Sequence, residues 1–157
     1  MKKVLIALDY DPSVQMIAES GYSLAKTMNA KVVLLHVIAE PEYYSTLEYS
    51  PLVGFTGFMN LGPIQSNITG ELKKASLDFL DKIKNHVKDT SIQTLVKEGD
   101  FAQSILLTAK EVHADIIVMG SHSRKWLENI VMGSVTENVL NDTTIPLYIV
   151  PTRKQRK

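Results

Sequence analysis

The chain of 157 residues has no cysteine, which excludes a disulfide framework and any thiolate metal or redox centre. It has no charge excess either. Lys plus Arg equals Asp plus Glu at 17 each, so no overall field draws it to nucleic acid or to an anionic membrane. Long hydrophobic runs are also missing. Val4 to Leu8 is closed at once by Asp9, too short for a signal peptide, and no later stretch reaches bilayer-spanning length. A cytoplasmic protein with neither nucleic acid nor membrane as partner is the expectation. Two catalytic signatures are absent as well. Without Gly-x-Gly-x-x-Gly or Gly-x-Ser-x-Gly, a dehydrogenase or hydrolase reading has no support. Gly57 to Gly62 has the glycine spacing of a P-loop, but Pro63-Ile64 stands where Lys and Ser or Thr are required. His36, His86 and His113 are spread over different elements, with no metal-ligand spacing.

What is present is an ordinary globular composition, 45% hydrophobic and 22% charged, in a chain of one-domain size. Apolar runs alternate with helical periods. Val4 to Leu8, Val32 to Val37 and Ile116 to Met119 read as strands buried on both faces. Ile92 to Val96 is more polar and suits an edge, and Pro146 puts the run Ile145 to Val150 at an edge or a strand start. Between them, Asp11-Pro12 reads as a helix start, with a stripe from Val14 to Met28 ended by Asn29. A second stripe runs Ile68, Leu72, Ala75, Phe79, Ile83, Val87. A third follows the cap Asp100, and a last one carries Val135, Val139 and Leu140. Strand–helix–strand repetition predicts an α/β domain over 1–152 with a mainly parallel sheet covered on both faces. Residues 153–157 form a basic tail. Ligands of such sheets sit beyond the C-terminal strand ends, which directs attention to the loops after Leu8, Val37 and Met119.

Two stretches break the rhythm. Residues 39–64 have no period, hold Pro41, Pro51 and Pro63, and carry Tyr43, Tyr44, Tyr49, Phe55 and Phe58. A loop of that length suits a lid or a subunit contact, or else a variable excursion packing its own aromatics. Residues 119–136 leave a buried strand and enter a helix. Gly120 permits a sharp turn and close approach of a ligand to the main chain. Gly133-Ser134 opens the helix, where free N–H groups and the dipole favour an anion, and the Ser134 and Thr136 hydroxyls add donors. Arg124 and Lys125 bring positive charge, and His122 either touches a phosphate or is an exposed loop histidine. Trp126 and Leu127 suit anchoring the loop against the core rather than stacking on a base. Asp9 either accepts from a bound ribose or base or satisfies the amides of its own loop.

The spacing of Gly120, Ser123, Gly133 and Ser134 resembles the nucleotide loop of the universal stress protein family: Gly, two residues, Gly, nine residues, Gly, then Ser or Thr. Ile6-Ala7-Leu8-Asp9, Leu35-His36-Val37, Ala114 to Gly120 and Ile145 to Pro151 resemble its other segments in order, over nearly the whole chain. The resemblance implies a five-stranded parallel sheet of order 3-2-1-4-5 and a homodimer paired through 145–150. It also implies ATP, with Mg2+ as counter-ion, as the ligand. By that likeness Asp9 and Val37 hold adenine and ribose, with Ala7, Leu8 and Met119 lining the base. Gly120 approaches the ribose, while His122, Ser123, Arg124, Gly133, Ser134, Val135 and Thr136 surround the phosphates. Ser123 departs from the family's glycine. Its side chain narrows the approach, yet its N–H remains and its hydroxyl is a further donor. The rival expectation is therefore a stress-response interaction protein of the same fold that binds no ATP. No efficient catalysis is expected, because beyond Asp9 no metal clamp and positioned water can be assembled. Slow hydrolysis or self-phosphorylation on a loop serine is the residual alternative. An unknown protein partner would read the bound state.

Overall fold

A computed structural model of the chain describes residues 1–38, 62–121 and 134–152, with the helical backbone alone for 62–69. The elements are β1 (Lys3–Ala7), α1 (Val14–Thr27), β2 (Lys31–Ile38), α2 (Gly62–His86), β3 (Gln93–Glu98), α3 (Phe101–Glu111), β4 (Ile116–Gly120), α4 (Ser134–Asp142) and β5 (Leu147–Val150). They build a parallel five-stranded sheet of order β3-β2-β1-β4-β5, as expected. Both predicted edge strands are edges. Pro146 stands just before β5, where its carbonyl accepts the Ile117 N–H at 2.9 Å and its missing donor costs no rung. Among the described residues no helix is long and apolar enough to cross a membrane.

The apolar runs are strands because both sheet faces are covered, and alternate residues enter separate cores. Val4, Ile6, Val32, Leu34 and Val118 pack beneath α1 and α2. Leu5, Val33, Leu35, Val37, Ile117 and Met119 pack beneath α3 and α4. Helix α1 lies so close to the sheet that a Cβ on Gly21 would fall 2.6 Å from Ile6 Cδ1. Helix α3 starts where Asp100 accepts the Gln103 N–H at 2.9 Å, a side-chain cap on a free donor.

Several local expectations shift. Helix α1 begins at Val14, not at Asp11-Pro12. The Asp11 carboxylate accepts the Ser13 N–H and hydroxyl and makes a separate turn first. Helix α2 begins at Gly62, inside the stretch read as irregular, with Pro63 in the first turn where its missing N–H is harmless. Its buried face is Ser76, Leu80 and Ile83, while Ala75 of the expected stripe is exposed. In α4 the buried pair is Thr136 and Val139, and Leu140 is exposed. Most of 39–64, the stretch 122–133 and the tail 153–157 lie outside the described residues.

Candidate functional site

Strand β1 is the centre of the sheet. Its chain crosses to β2 on one side, and the later crossover from β3 returns to β4 on the other, so strand order reverses between β1 and β4. Main chains diverge at such a point and leave a crevice beyond the strand ends. A cleft opens there, about 620 Å³ counted out into open solvent. Ala7, Leu8, Asp9, Val37, Met119, Gly120, Val135 and Thr136 line it, eight of the nine described residues expected at the site. Ser134, the ninth, is exposed at the first position of α4 and is not part of the lining. His122, Ser123, Arg124 and Gly133 lie outside the described residues.

Other lining residues had not been anticipated: Asp11, Ile17, Leu35, Phe101 and Ile105. Phe101 is the first residue of α3, directly after β3, and Ile105 is one turn on. The strand-end rule pointed to them too, but only if the loop after β3 is inspected together with the other three.

Each wall has a local cause. Gly120 is the last residue of β4, paired with Val150, and does not take a left-handed turn. Its need for glycine is packing: a Cβ would lie 2.7 Å from Ile17 Cδ1 and 2.9 Å from Thr152 Cγ2. Ser121 then ties the strand end to β5, its N–H donating to the Val150 carbonyl at 2.9 Å. Thr136 is fully buried and its hydroxyl donates to the Gly120 carbonyl at 2.9 Å, so its one proton fixes the strand end to α4. Asp9 accepts the Tyr10 N–H at 2.8 Å, one of the loop amides it was expected to satisfy. His36 is buried, and its Nδ1 lies 2.9 Å from the Leu8 carbonyl oxygen.

Chemically the described cleft is a hydrocarbon slot with polar groups at its rim. Leu35, Val37, Phe101, Ile105, Met119 and Val135 suit a flat apolar face, and the Asp9 and Asp11 carboxylates offer acceptors. On β2 the main-chain groups alternate in direction. Ile38 carbonyl accepts the Gly99 N–H on the β3 side, whereas Leu35 carbonyl accepts the Leu8 N–H on the β1 side. By that alternation the N–H and carbonyl of Val37 turn toward β1, whose paired register has ended at Ala7. They face the mouth of the cleft. Among the described residues no group of three or more His, Asp or Glu is placed to hold a metal.

The model of the universal stress protein family matches residues 1–151. A universal stress protein of Methanocaldococcus jannaschii is 30% identical over 153 residues, covering 95% of this chain and 94% of its own. Universal stress protein A of Escherichia coli is 29% identical over 158 residues, covering 99% and 98%. Among solved structures, UspA of Lactobacillus plantarum superposes with a TM-score of 0.74 at 16% identity, covering 95% and 97%. A universal stress protein in complex with cAMP superposes at 0.61 and 19% identity, covering 97% and 98%.

Proposed function

Since the chain belongs to the universal stress protein family, we propose that its cleft binds an adenine nucleotide, ATP, and that it acts as a regulatory homodimer in the cytoplasm. The observation that carries this is the convergence of Ala7, Leu8, Asp9, Val37, Met119, Gly120, Val135 and Thr136, drawn from four elements and the loop after β1, on one slot. A purine is flat and apolar on its faces and polar on its edge. The slot offers hydrocarbon walls to the faces, and the Val37 main chain offers one donor and one acceptor to the edge. Asp9 would accept from a ribose hydroxyl. The phosphates, with Mg2+, would be held at the start of α4, where unpaired N–H groups favour an anion, by Ser134 together with Ser123, Arg124 and Gly133.

The residues fit a binding role better than a catalytic one. One Asp11 oxygen already takes the Ser13 N–H and hydroxyl, and Asp9 alone is a poor apparatus for activating water. Regulation then requires that ATP favour one of two surfaces that a partner can distinguish. Pairing of two copies through β5 is supported by its edge position and by Tyr148, 44% exposed on its face. The alternative, a family member that works without ATP, rests on Ser123.

Calorimetry of ATP and magnesium with the wild type and Ser123→Gly decides between them. The wild type should bind with micromolar affinity and Ser123→Gly at least as tightly. Binding by the variant alone would transfer the reading to the interaction protein. Light scattering should give a dimer at micromolar concentration, and a monomer would remove the homodimer.

A further inference from the structure

One hydrogen bond beside the cleft departs from the regular ladder. The pairing of β1 with β2 ends at Ala7↔Leu35, and one rung follows, the Leu8 N–H donating to the Leu35 carbonyl at 2.8 Å. In a parallel ladder the next rung runs from the Val37 N–H to the Leu8 carbonyl. That carbonyl instead has the His36 Nδ1 at 2.9 Å. A carbonyl only accepts, so Nδ1 carries the proton and donates it. The His36 side chain lies on the α1–α2 face with Val32 and Leu34, opposite the face of Leu35 and Val37.

We infer that His36 is a positioning residue for the cleft: it draws the Leu8 carbonyl toward the α1–α2 face and so leaves the Val37 N–H turned to the mouth as a donor for a bound base. The ring is held for this task. It is 3% exposed, meets the Tyr10 ring edge-on at 4.8 Å and the Phe79 ring at 5.5 Å, and Tyr10 and Phe79 themselves lie 4.6 Å apart. The 57% exposed Tyr10 covers it from solvent, so water does not compete readily for the Nδ1 proton. The same residue thus serves one core with its ring and the opposite side of the sheet through a carbonyl. The identity of the ligand rests on the nucleotide reading, whereas the backbone clamp does not.

Two variants separate donor from ring. His36→Phe keeps an aromatic against Tyr10 and Phe79 but has no proton to give, and His36→Asn keeps an N–H donor near Nδ1 without the ring. Without ligand, amide hydrogen exchange at Val37 should be fast in the wild type and in His36→Asn. In His36→Phe it should slow about tenfold as the Leu8 carbonyl returns to it. A Val37 amide equally protected in wild type and His36→Phe would overturn the clamp. With ligand, the wild type should prefer ATP to 1-deaza-ATP, which lacks the ring acceptor, by about five- to tenfold. His36→Phe should lose that preference with its affinity for 1-deaza-ATP unchanged, and His36→Asn should keep it. Equal losses for both ligands, or a preference surviving in His36→Phe, would reduce His36 to packing. A wild type that bound neither ligand would remove the nucleotide reading, and the exchange result would still decide the clamp.

Discussion

The two ends of the sheet are built on opposite principles. At the N-terminal ends of the strands, polar groups are closed against one another. Helices α1, α2 and α3 leave through Asn29, Lys88 and His113, all in the left-handed region at φ 52°, 57° and 57°. Each exit turns a following N–H back onto the helix: Ala30 onto the Ala25 carbonyl, Asp89 onto Lys84, Ala114 onto Ala109. Carboxylates finish the job. Asp115 accepts the Lys3 N–H at 2.8 Å, and Asp89 accepts from the Ser91 N–H and hydroxyl and from the Tyr22 hydroxyl. At the C-terminal end of β1 the ladder to β2 stops short of the end of β2, the walls are hydrocarbon, and main-chain groups face a cleft. One end is closed by hydrogen bonds and the other is left open as a cleft.

Substitutions can test that division, the largest first. Gly120→Val places branched carbon where a single Cβ already lies under 3 Å from Ile17 and Thr152. It should cost about 3 kcal/mol in urea unfolding. This is the position where the open end behaves like the closed one, and a loss below about 0.5 kcal/mol would mean that α1 yields at Ile17.

Asp89→Ala removes the acceptor for three donors on a side chain 18% exposed. About 2 kcal/mol should be lost at neutral pH, with ATP affinity unmoved. The Ser91 hydroxyl, then the Ser91 N–H, hold the Asp89 carboxyl below its ordinary value; the Tyr22 hydroxyl and the Lys26 charge assist against the opposing effect of burial. A carboxyl lowered in the folded state stabilises above its unfolded pKa of about 4 and loses that contribution as pH falls through the folded value. The gap between wild type and Asp89→Ala should therefore narrow in acid below about pH 4. A gap independent of pH would mean that the side chain acts by shape alone.

Ala7→Leu sharpens the comparison from the other end. Filling the slot at a half-buried lining position should weaken ATP about tenfold in calorimetry, with stability changed by no more than about 0.5 kcal/mol. Equal losses in binding and stability would show the open end to be as structural as the closed one.

The strands were legible because burial on both faces writes itself as an unbroken apolar run, as in Leu5-Ile6 and Val33-Leu34-Leu35, all at most 2% exposed. The cap Asp100 and the helix end at Asn29 were legible because their side chains suit the backbone they occupy. Lys88 was not, since a long side chain in a left-handed exit leaves no mark in composition, whereas His113 is of a type enriched in that conformation and did carry a signal. Helix α2 misled because Leu80 sits one position from the expected stripe and the small Ser76 is buried where Ala75 was expected. At the site, residues next to strand ends on β1, β2 and β4 were read from the strand-end rule and the family resemblance. Phe101 and Ile105 were not legible, because the more polar strand before them reads as an edge and gives no sign that the helix after it reaches the cleft. The bond from His36 to Leu8 joins residues 28 positions apart, and only the meeting of two strands brings it about.

The central place of β1 also sets an order in time. Val4 finds Val32 soon after it is made, but its other neighbour, Ile116, arrives more than a hundred residues later. During synthesis the half-sheet of β3, β2 and β1 can assemble on α1 and α2 while one flank of β1 still waits, and long-range pairing of that kind is slow. The crevice between β1 and β4 therefore closes late, with only the pairing of β5 onto β4 still to follow, and the nascent chain has no such slot until β4 has docked.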